Sequence, residues 1–181
     1  MHIAVIGSGY VGLVSAACLA DIGHDVVSVD NDGAKIAALE RGEVPIHERF
    51  LPELLARHRG DRLRFSTSVA EAVRESDAVF ITVGTPQSTT GEADLSFVEA
   101  VAHEIASAIH GSKVIIEKST VPVRTCEFLH RTLLLNGAAP GSFAVASNPE
   151  FLREGTAVTD FLYPDRIVIG VDDELIESRI I

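Results

Sequence analysis

Cysteine is scarce in this chain, with two in 181 residues. Two cysteines cannot form the disulfide framework of a small secreted domain. The sequence also lacks an apolar run of the roughly 18 residues that a transmembrane helix requires, and its start lacks the basic segment and long apolar core of a signal peptide. A hydrophobic content of 46% supplies enough apolar side chains for a well-packed core. We therefore expect a cytoplasmic protein without a membrane partner.

Basic residues are in the minority as well, because 15 Lys and Arg face 26 Asp and Glu and give a formal net charge of -11. Nucleic-acid binding requires clustered Lys and Arg, so we expect no nucleic-acid partner. The acidic excess is typical of solvated surface. The seven histidines form no HxH or HExxH pair, the spacings typical of zinc sites. The sequence therefore predicts no metal site.

The first apolar run, His2 to Ile6, leads directly into the glycine-rich turn Gly7-Ser8-Gly9-Tyr10-Val11-Gly12. In a dinucleotide-binding unit each glycine has its own task. Gly7 permits a tight turn after the strand, and Gly9 lets the backbone approach a pyrophosphate. Gly12 lets the following helix pack closely on the sheet. An ordinary glycine-rich turn is the alternative interpretation, since such turns are common.

The residues after the turn favour the dinucleotide interpretation. A helix-compatible run spans residues 10–22, Gly23 ends it, and a second strand, Asp25 to Val29, is followed by Asp30. The N-terminus of that helix would hold a pyrophosphate on its free N–H groups, and the Asp30 carboxylate would accept hydrogen bonds from a ribose diol. The order of strand, glycine turn, helix, strand and acid therefore predicts a dinucleotide site.

Lys35 leaves the choice of cofactor open at this point. A cation near the ribose would favour the 2'-phosphate of NADP, whereas the Asp30 carboxylate would repel it. Lys35 could equally be a solvated helix residue, since most lysines are exposed. The acid at Asp30 favours NAD.

Beyond this unit, strands and helices alternate along the chain. The predicted strands cover residues 62–65, 78–83, 113–117, 143–147 and 166–170, and the predicted helices cover 33–41, 53–58, 69–75, 94–110 and 122–135. The run 78–83 is almost continuously apolar, which is typical of a strand buried on both faces. The alternation predicts a doubly wound α/β fold, with a mostly parallel sheet and helices on both faces.

Polar residues follow several of these strands. They are Thr85, Lys118, Ser119, Thr120, Asn148 and Glu150. The carboxyl ends of parallel strands meet at the edge that holds the glycine turn, so we expect ligand chemistry there. An acid such as Glu150 beside a hydroxyl residue is a suitable proton acceptor if its pKa lies near the working pH. The alternatives are that 148–150 is an ordinary polar turn and that Thr85 and Ser119 are turn or cap hydroxyls.

Three segments carry a resemblance to a known family: Gly84-Thr85-Pro86, the EKSTVPV stretch at 117–123 and the NPEFLREG stretch at 148–155. Together with the glycine turn they resemble the UDP-glucose/GDP-mannose dehydrogenase family, over essentially the whole chain. The resemblance implies a Rossmann-type NAD-binding domain of an enzyme that oxidises the C6 alcohol of UDP-glucose to the acid with two NAD+. GDP-mannose or a UDP-N-acetylhexosamine is an alternative substrate. A non-catalytic nucleotide-sensing module is an alternative function.

The same resemblance assigns roles to individual residues. Those aligned with the cofactor are Gly7, Gly9, Tyr10, Val11, Gly12, Asp30, Lys35, Thr85, Pro86, Ser119, Thr120 and Glu154. Those aligned with the sugar nucleotide are Glu150, Phe151, Leu152, Arg153 and Glu154. Thr120 and Glu150 match the catalytic positions, where they would place a water and handle protons. The loop 45–51 departs from the family pattern at His47 and at Arg49-Phe50.

The cysteine nucleophile that the family uses in the second oxidation, in a downstream sugar-nucleotide-binding domain, has no counterpart here. Cys18 lies among alanines and leucine in a predicted helix and is expected to be a packed residue. Cys126 lacks the glycine-rich surroundings of that nucleophile. Residues 175–181 look like a half-begun helix. We therefore expect residues 1–181 to be the cofactor domain of a longer enzyme. On this expectation, the present chain lacks the family's central and sugar-nucleotide-binding domains and is inactive alone. The resemblance implies that the full-length enzyme is a homodimer and serves polysaccharide synthesis.

Overall fold

The computed structural model describes residues 1–89 and 91–171, and within these ranges it places seven strands in one sheet. The strands are β1 (His2–Ile6), β2 (Asp25–Val29), β3 (Leu63–Ser66), β4 (Ala78–Ile81), β5 (Lys113–Glu117), β6 (Phe143–Ser147) and β7 (Gly170–Val171). Their spatial order is β3-β2-β1-β4-β5-β6-β7. The first six pair in parallel, and β7 pairs antiparallel with β6.

Helices cover both faces of this sheet. They are α1 (Tyr10–Asp21), α2 (Gly33–Arg41), α3 (Leu51–His58), α4 (Val69–Glu75), α5 (Ser96–Ala108), α6 (Thr125–Leu135) and α7 (Ala157–Leu162). Apolar residues of α4, α5 and α6 share one core with Val79 and Ile81 of β4. Those of α1, α2, α3 and α7 share a second core with Ile3 and Val5 of β1. The doubly wound, mostly parallel α/β fold is thus confirmed.

The chain reverses its direction of travel across the sheet between β1 and β4, which are neighbours. The strands after β1 extend to one side, and β5 and β6 extend to the other. In open α/β sheets a crevice forms at this point, outside the carboxyl ends of the strands, and ligands bind there. None of the helices in the described ranges is long and apolar enough to cross a membrane.

Three elements differ from the sequence-based expectation by more than two residues at an end. The helix predicted from 122 begins at Thr125, because Arg124 adopts a left-handed backbone with a φ of 72°. The prediction of a strand over 166–170 was wrong for residues 166–169, because the strand begins only at Gly170. In the residues before it, the Val168 carbonyl accepts a hydrogen bond from the Asn148 side chain, 2.9 Å, and not from the backbone of a neighbouring strand. Helix α7 was not predicted. The half-begun helix expected at 175–181 lies outside the described residues.

Candidate functional site

Backbone sterics require glycine at two positions of the turn after β1. Gly7 has a φ of +103°, and a Cβ there would lie 2.7 Å from the carbonyl oxygen of Thr82. A Cβ on Gly12 would lie 1.7 Å from the carbonyl oxygen of Gly7, far inside van der Waals contact. The hydroxyl of Thr82 donates to that same carbonyl at 2.9 Å. Helix α1 therefore starts in direct contact with the turn and with the chain leaving β4.

The space around Gly9, at the start of α1, is open, in contrast to the close backbone contacts at Gly7 and Gly12. A Cβ built on Gly9 would have nothing within 4 Å. The first hydrogen bond across this end runs from the Leu13 N–H to the Gly9 carbonyl, 2.9 Å, and Gly9 supplies no capping side chain. The N–H groups of the first turn have no intrahelical partners, and the helix dipole adds partial positive charge there. This end can bind an anion such as a pyrophosphate.

Asp30 is fixed on three sides at the end of β2. One carboxylate oxygen accepts hydrogen bonds from the Ser8 N–H, 2.9 Å, and from the Lys35 ammonium, 2.7 Å. The other accepts from the Asp32 N–H at 3.0 Å. Burial raises the pKa of Asp30, but these hydrogen bonds together outweigh it and hold the pKa below its ordinary value. Asp30 is therefore an oriented, ionised carboxylate, and Lys35 is its ion-pair partner.

A cavity of about 280 Å³ lies beside these groups. Its polar lining includes Asp30 and Lys35, and its floor includes Gly7 and Gly9. Its apolar lining comes from β1, β2, α4 and α5, through Ile6, Val29, Val69 and Val101. Ligand pockets are mostly apolar with a few placed polar groups. An apolar slot next to a carboxylate and an open helix N-terminus suits a nucleotide, with its base in the slot and its ribose at the acid.

The turns that follow β4 and β5 are tied to each other. The Thr85 hydroxyl donates to the Thr120 carbonyl at 2.7 Å, which joins the two turns across the sheet edge. The Pro86 carbonyl accepts from the Asp94 N–H at 2.8 Å and so closes the loop before α5. Ser119 is buried, and Thr120 is exposed. Thr85 is not a helix cap, because its hydroxyl donates to the Thr120 carbonyl in the turn after β5 and not to the end of a helix.

Lys118 and Asn148 meet at the ends of β5 and β6. The Lys118 ammonium donates to the Asn148 side-chain oxygen at 3.0 Å and lies 5.7 Å from the ring centre of Phe161. Burial lowers the pKa of Lys118, and the charge of Glu150 works in the opposite direction. One carboxylate oxygen of Glu150 accepts from the Leu152 N–H at 2.6 Å. The 148–150 segment is therefore held to the sheet by a buried cation.

Residues 151–154 lie mostly at the surface, with Leu152 half-buried. The Arg153 guanidinium pairs with the Asp160 carboxylate at 2.6 Å, and this pair holds the pKa of Asp160 far below its ordinary value. Phe151 is 54% exposed, with the Arg166 guanidinium 5.7 Å from its ring centre. The predicted sugar-nucleotide residues are consecutive in the chain, and the structure leaves Phe151, Arg153 and Glu154 exposed to solvent.

Sequence reasoning missed two buried carboxylates. Glu117 is 1% exposed at the end of β5. One of its oxygens accepts from the Ser119 N–H at 2.8 Å, and the other has no hydrogen-bond partner within the described residues. Burial raises the pKa of Glu117 to about 7. The sequence signal that could have identified Glu117 was the presence of an acid at the end of the apolar run 113–117.

Glu48 is the second missed carboxylate, 6% exposed in the loop between α2 and α3. It accepts from the Tyr10 hydroxyl and from the N–H groups of Arg49, Gly155 and Ala157. Nothing in the local pattern of residues 45–51 marks it. Cys18 is fully buried, as predicted. Within residues 1–89 and 91–171 no group of three His, Cys, Asp or Glu could hold a metal ion.

Comparison with known proteins decides the family. Residues 1–180 match the UDP-glucose/GDP-mannose dehydrogenase family, NAD binding domain. The chain belongs to this family. It is 52% identical over 174 residues to a UDP-glucose 6-dehydrogenase of Rhizobium meliloti (strain 1021), a match that spans 95% of this chain and 40% of that protein. The family match confirms the NAD-binding domain expected from the glycine turn and the NAD expected from Asp30.

Solved structures agree with this membership. A UDP-glucose dehydrogenase from the archaeon Pyrobaculum islandicum superimposes with a TM-score of 0.93 at 44% identity, over 98% of this chain and 42% of that one. A ternary complex of GDP-mannose dehydrogenase from Pseudomonas aeruginosa gives a TM-score of 0.91 at 37% identity, over 99% of this chain and 43% of that one. The Rossmann-type fold is thereby confirmed. The chain spans about two fifths of the length of these relatives.

Proposed function

We propose that this chain is the cofactor-binding part of an enzyme that oxidises the C6 alcohol of UDP-glucose, through the aldehyde, to UDP-glucuronate. The observation that carries the proposal is the shared cavity of the glycine turn and the ion-paired Asp30. That cavity suits one nucleotide of a dinucleotide, and the relative from Rhizobium meliloti is a UDP-glucose 6-dehydrogenase. Bound there, NAD+ would accept a hydride from C6 in each of the two oxidations.

Residues of this chain are suited to binding the cofactor. The open first turn of α1 would hold the pyrophosphate on its N–H groups. The Asp30 carboxylate would accept from the ribose diol through the oxygen that now accepts only from the Asp32 N–H, since that oxygen retains a lone pair. The same fixed negative charge would repel a 2'-phosphate, which favours NAD+ over NADP+.

Residues in the turns after β4, β5 and β6 are suited to the two oxidation steps. Thr85, Pro86, Ser119 and Glu154 would line the path of the cofactor, with Tyr10, Val11 and Lys35 at its other end. Thr120 is an exposed residue at the edge where Glu150 lies. Each oxidation releases a proton to a base, and the second also takes up the oxygen of a water. Glu150 would accept protons, and Thr120 would help to place that water.

The sugar nucleotide would lie along Glu150, Phe151, Leu152, Arg153 and Glu154. The cysteine nucleophile of the second oxidation would come from further domains of a longer, cytoplasmic, homodimeric enzyme of polysaccharide synthesis. Cys18 supports this placement, because burial raises the pKa of its thiol to about 12, and a nucleophile needs the thiolate. We also propose that residues 1–181 form the cofactor domain of that enzyme, with metal ions and nucleic acids playing no part.

The test is turnover by the protein encoded in the extended reading frame that contains this sequence. UDP-glucose should yield two NADH for each UDP-glucuronate formed. GDP-mannose is the second candidate, because the GDP-mannose dehydrogenase domain superimposes almost as closely, and it should be turned over far more slowly. A preference for GDP-mannose or for a UDP-N-acetylhexosamine would contradict the choice of substrate and leave the cofactor assignment intact.

A further inference from the structure

Glu48 occupies an unusual position for a surface-loop acid. The residue is 6% exposed, and its carboxylate accepts hydrogen bonds from groups of three separate segments. One oxygen accepts from the Tyr10 hydroxyl and from the Gly155 N–H, 2.8 Å. The other accepts from the N–H groups of Arg49 and Ala157, both at 3.1 Å. A buried carboxylate with this many donors is fixed in place.

The segments that meet at Glu48 belong to different parts of the candidate site. Tyr10 is the first residue of α1, directly after the glycine turn. Gly155 and Ala157 follow residues 150–154 and lead into α7. The Tyr10 hydroxyl also lies 3.5 Å from the Arg153 carbonyl and 3.3 Å from the Gly155 nitrogen. Burial and the hydrogen bond to Glu48 raise the pKa of Tyr10 to about 12, so its hydroxyl remains a donor.

We propose that Glu48 is a positioning residue, which locks the sugar-facing segment 150–157 to the helix end that receives the cofactor pyrophosphate. The inference rests on the proposed function, because it takes the start of α1 as the pyrophosphate site and residues 150–154 as the sugar-nucleotide segment. Glu48 is not one of the residues assigned to the cofactor or to the sugar nucleotide, and its hydrogen bonds come from Tyr10, Arg49, Gly155 and Ala157. Binding of the cofactor at the first turn of α1 fixes the Tyr10 backbone, and the Tyr10 ring carries that constraint to Glu48 and so to Gly155.

Hydrogen exchange of backbone amides tests this role on the 181-residue chain. The variant is Glu48→Gln, whose amide has one accepting oxygen and one NH2 donor, so it cannot accept hydrogen bonds on both sides. Exchange at Gly155, Ala157 or both should accelerate by about tenfold or more, the size expected when a hydrogen bond to a charged group is lost. The matched control is Glu53→Gln, an exposed acid on α3, which should leave these amides unchanged.

The second readout separates a positioning role from a merely structural one. In the unmodified chain, saturating NAD+ should slow exchange at Gly155 and Ala157 further. In Glu48→Gln that response should vanish while NAD+ still binds. Tyr10→Phe keeps the ring and removes the hydroxyl, so it should weaken the response if Glu48→Gln proves too unstable to study.

The outcomes are distinguishable. Unchanged exchange at Gly155 and Ala157 in Glu48→Gln would overturn the role of Glu48, whether or not NAD+ binds. A normal NAD+ response of these amides in Glu48→Gln or in Tyr10→Phe would overturn the coupling, as would NAD+ binding to the unmodified chain without any response. Failure of the unmodified chain to bind NAD+ would count against the proposed function itself.

Discussion

Asp30 and Glu117 both lie at the carboxyl ends of strands in the same sheet, but their pKa values shift in opposite directions. Asp30 follows β2, pairs with Lys35 and has a pKa below its ordinary value. Glu117 ends β5, has one oxygen without a partner in the described structure and has a pKa raised to about 7. The difference has two causes: deeper burial raises the pKa of Glu117, whereas a cation and two backbone N–H groups stabilise the charged form of Asp30. The β1–β2 side of the site therefore holds a fixed charge, and the β5–β6 side holds a carboxyl group, Glu117, whose charge changes near neutral pH.

The two sides also differ in how they are built. Backbone contacts fix the glycine turn on the β1–β2 side, where Gly12 meets the Gly7 carbonyl. Side-chain hydrogen bonds fix the β5–β6 side, through Lys118, Asn148 and Glu48. We infer that the first side is ready for a ligand in this chain alone, whereas the second side requires further groups to complete it.

Gly12→Ala should have the largest effect, because it tests the sterics of the β1–β2 side. The new methyl would overlap the Gly7 carbonyl at 1.7 Å, so α1 must move off the turn. We expect the free energy of unfolding to fall by about 4 kcal/mol, measured by urea denaturation. Gly33→Ala is the control, since a Cβ there meets nothing within 4 Å. Equal stability of the two variants would show that backbone contact does not define this side.

Glu117→Gln tests the pH-responsive side. The pKa of Glu117 is about 7 in the folded chain against an ordinary 4.5, so the folded state binds more protons between these values. Its contribution to stability is therefore full below pH 4.5 and is lost as the pH rises through 7. The loss amounts to about 3 kcal/mol at most.

Glutamine cannot ionise, so Glu117→Gln should be more stable than the unmodified chain at pH 8 and similar to it at pH 5. Urea denaturation at both values measures the difference. The control is Glu71→Gln on α4, an exposed acid, which should not alter the pH profile. An unchanged profile in Glu117→Gln would remove the contrast between the two acids.

Gly9→Ala sharpens the comparison by separating folding from binding. Gly9 has an extended backbone with a φ of -76° and a ψ of -164°, which alanine adopts freely. We expect the free energy of unfolding to change by less than about 0.5 kcal/mol. The affinity for NAD+ should nevertheless fall by about tenfold or more, because the methyl would stand where the pyrophosphate approaches. Titration calorimetry measures this, and normal affinity would move the pyrophosphate away from this turn.

Arg153→Gln should have the smallest effect on stability. Its pair with Asp160 is exposed on the arginine side, and surface ion pairs contribute little and are screened by salt. We expect the melting temperature to be nearly unchanged at low salt and identical to that of the unmodified chain at high salt. A large loss of stability would contradict this expectation and show that the exposed pair of Arg153 with Asp160 holds the 150–157 segment in place.

The cofactor side was largely predictable from the sequence, because its determinants are local. The spacing of the glycines indicated where α1 begins, and Asp30 follows directly from the strand pattern. The β5–β6 side was predictable only in part. Lys118 and Asn148 were expected at this edge and meet there, but the buried carboxylates of Glu117 and Glu48 were missed. Glu48 reaches Gly155, 107 residues away, and only the tertiary fold brings them together. The start of α6 was missed because Arg124 adopts a backbone conformation that non-glycine residues rarely adopt.

The most direct test of the account is isothermal titration of the 181-residue chain with NAD+ and NADP+, alongside Asp30→Ala and the control Asp25→Ala at the opposite end of β2. We predict saturable binding of NAD+, weaker binding of NADP+, and a loss of NAD+ affinity of about tenfold or more in Asp30→Ala alone, since a hydrogen bond to a charged group is removed. Equal affinity for NAD+ in Asp30→Ala and in the unmodified chain, or no binding by the latter, would contradict the claim that this side of the site is complete.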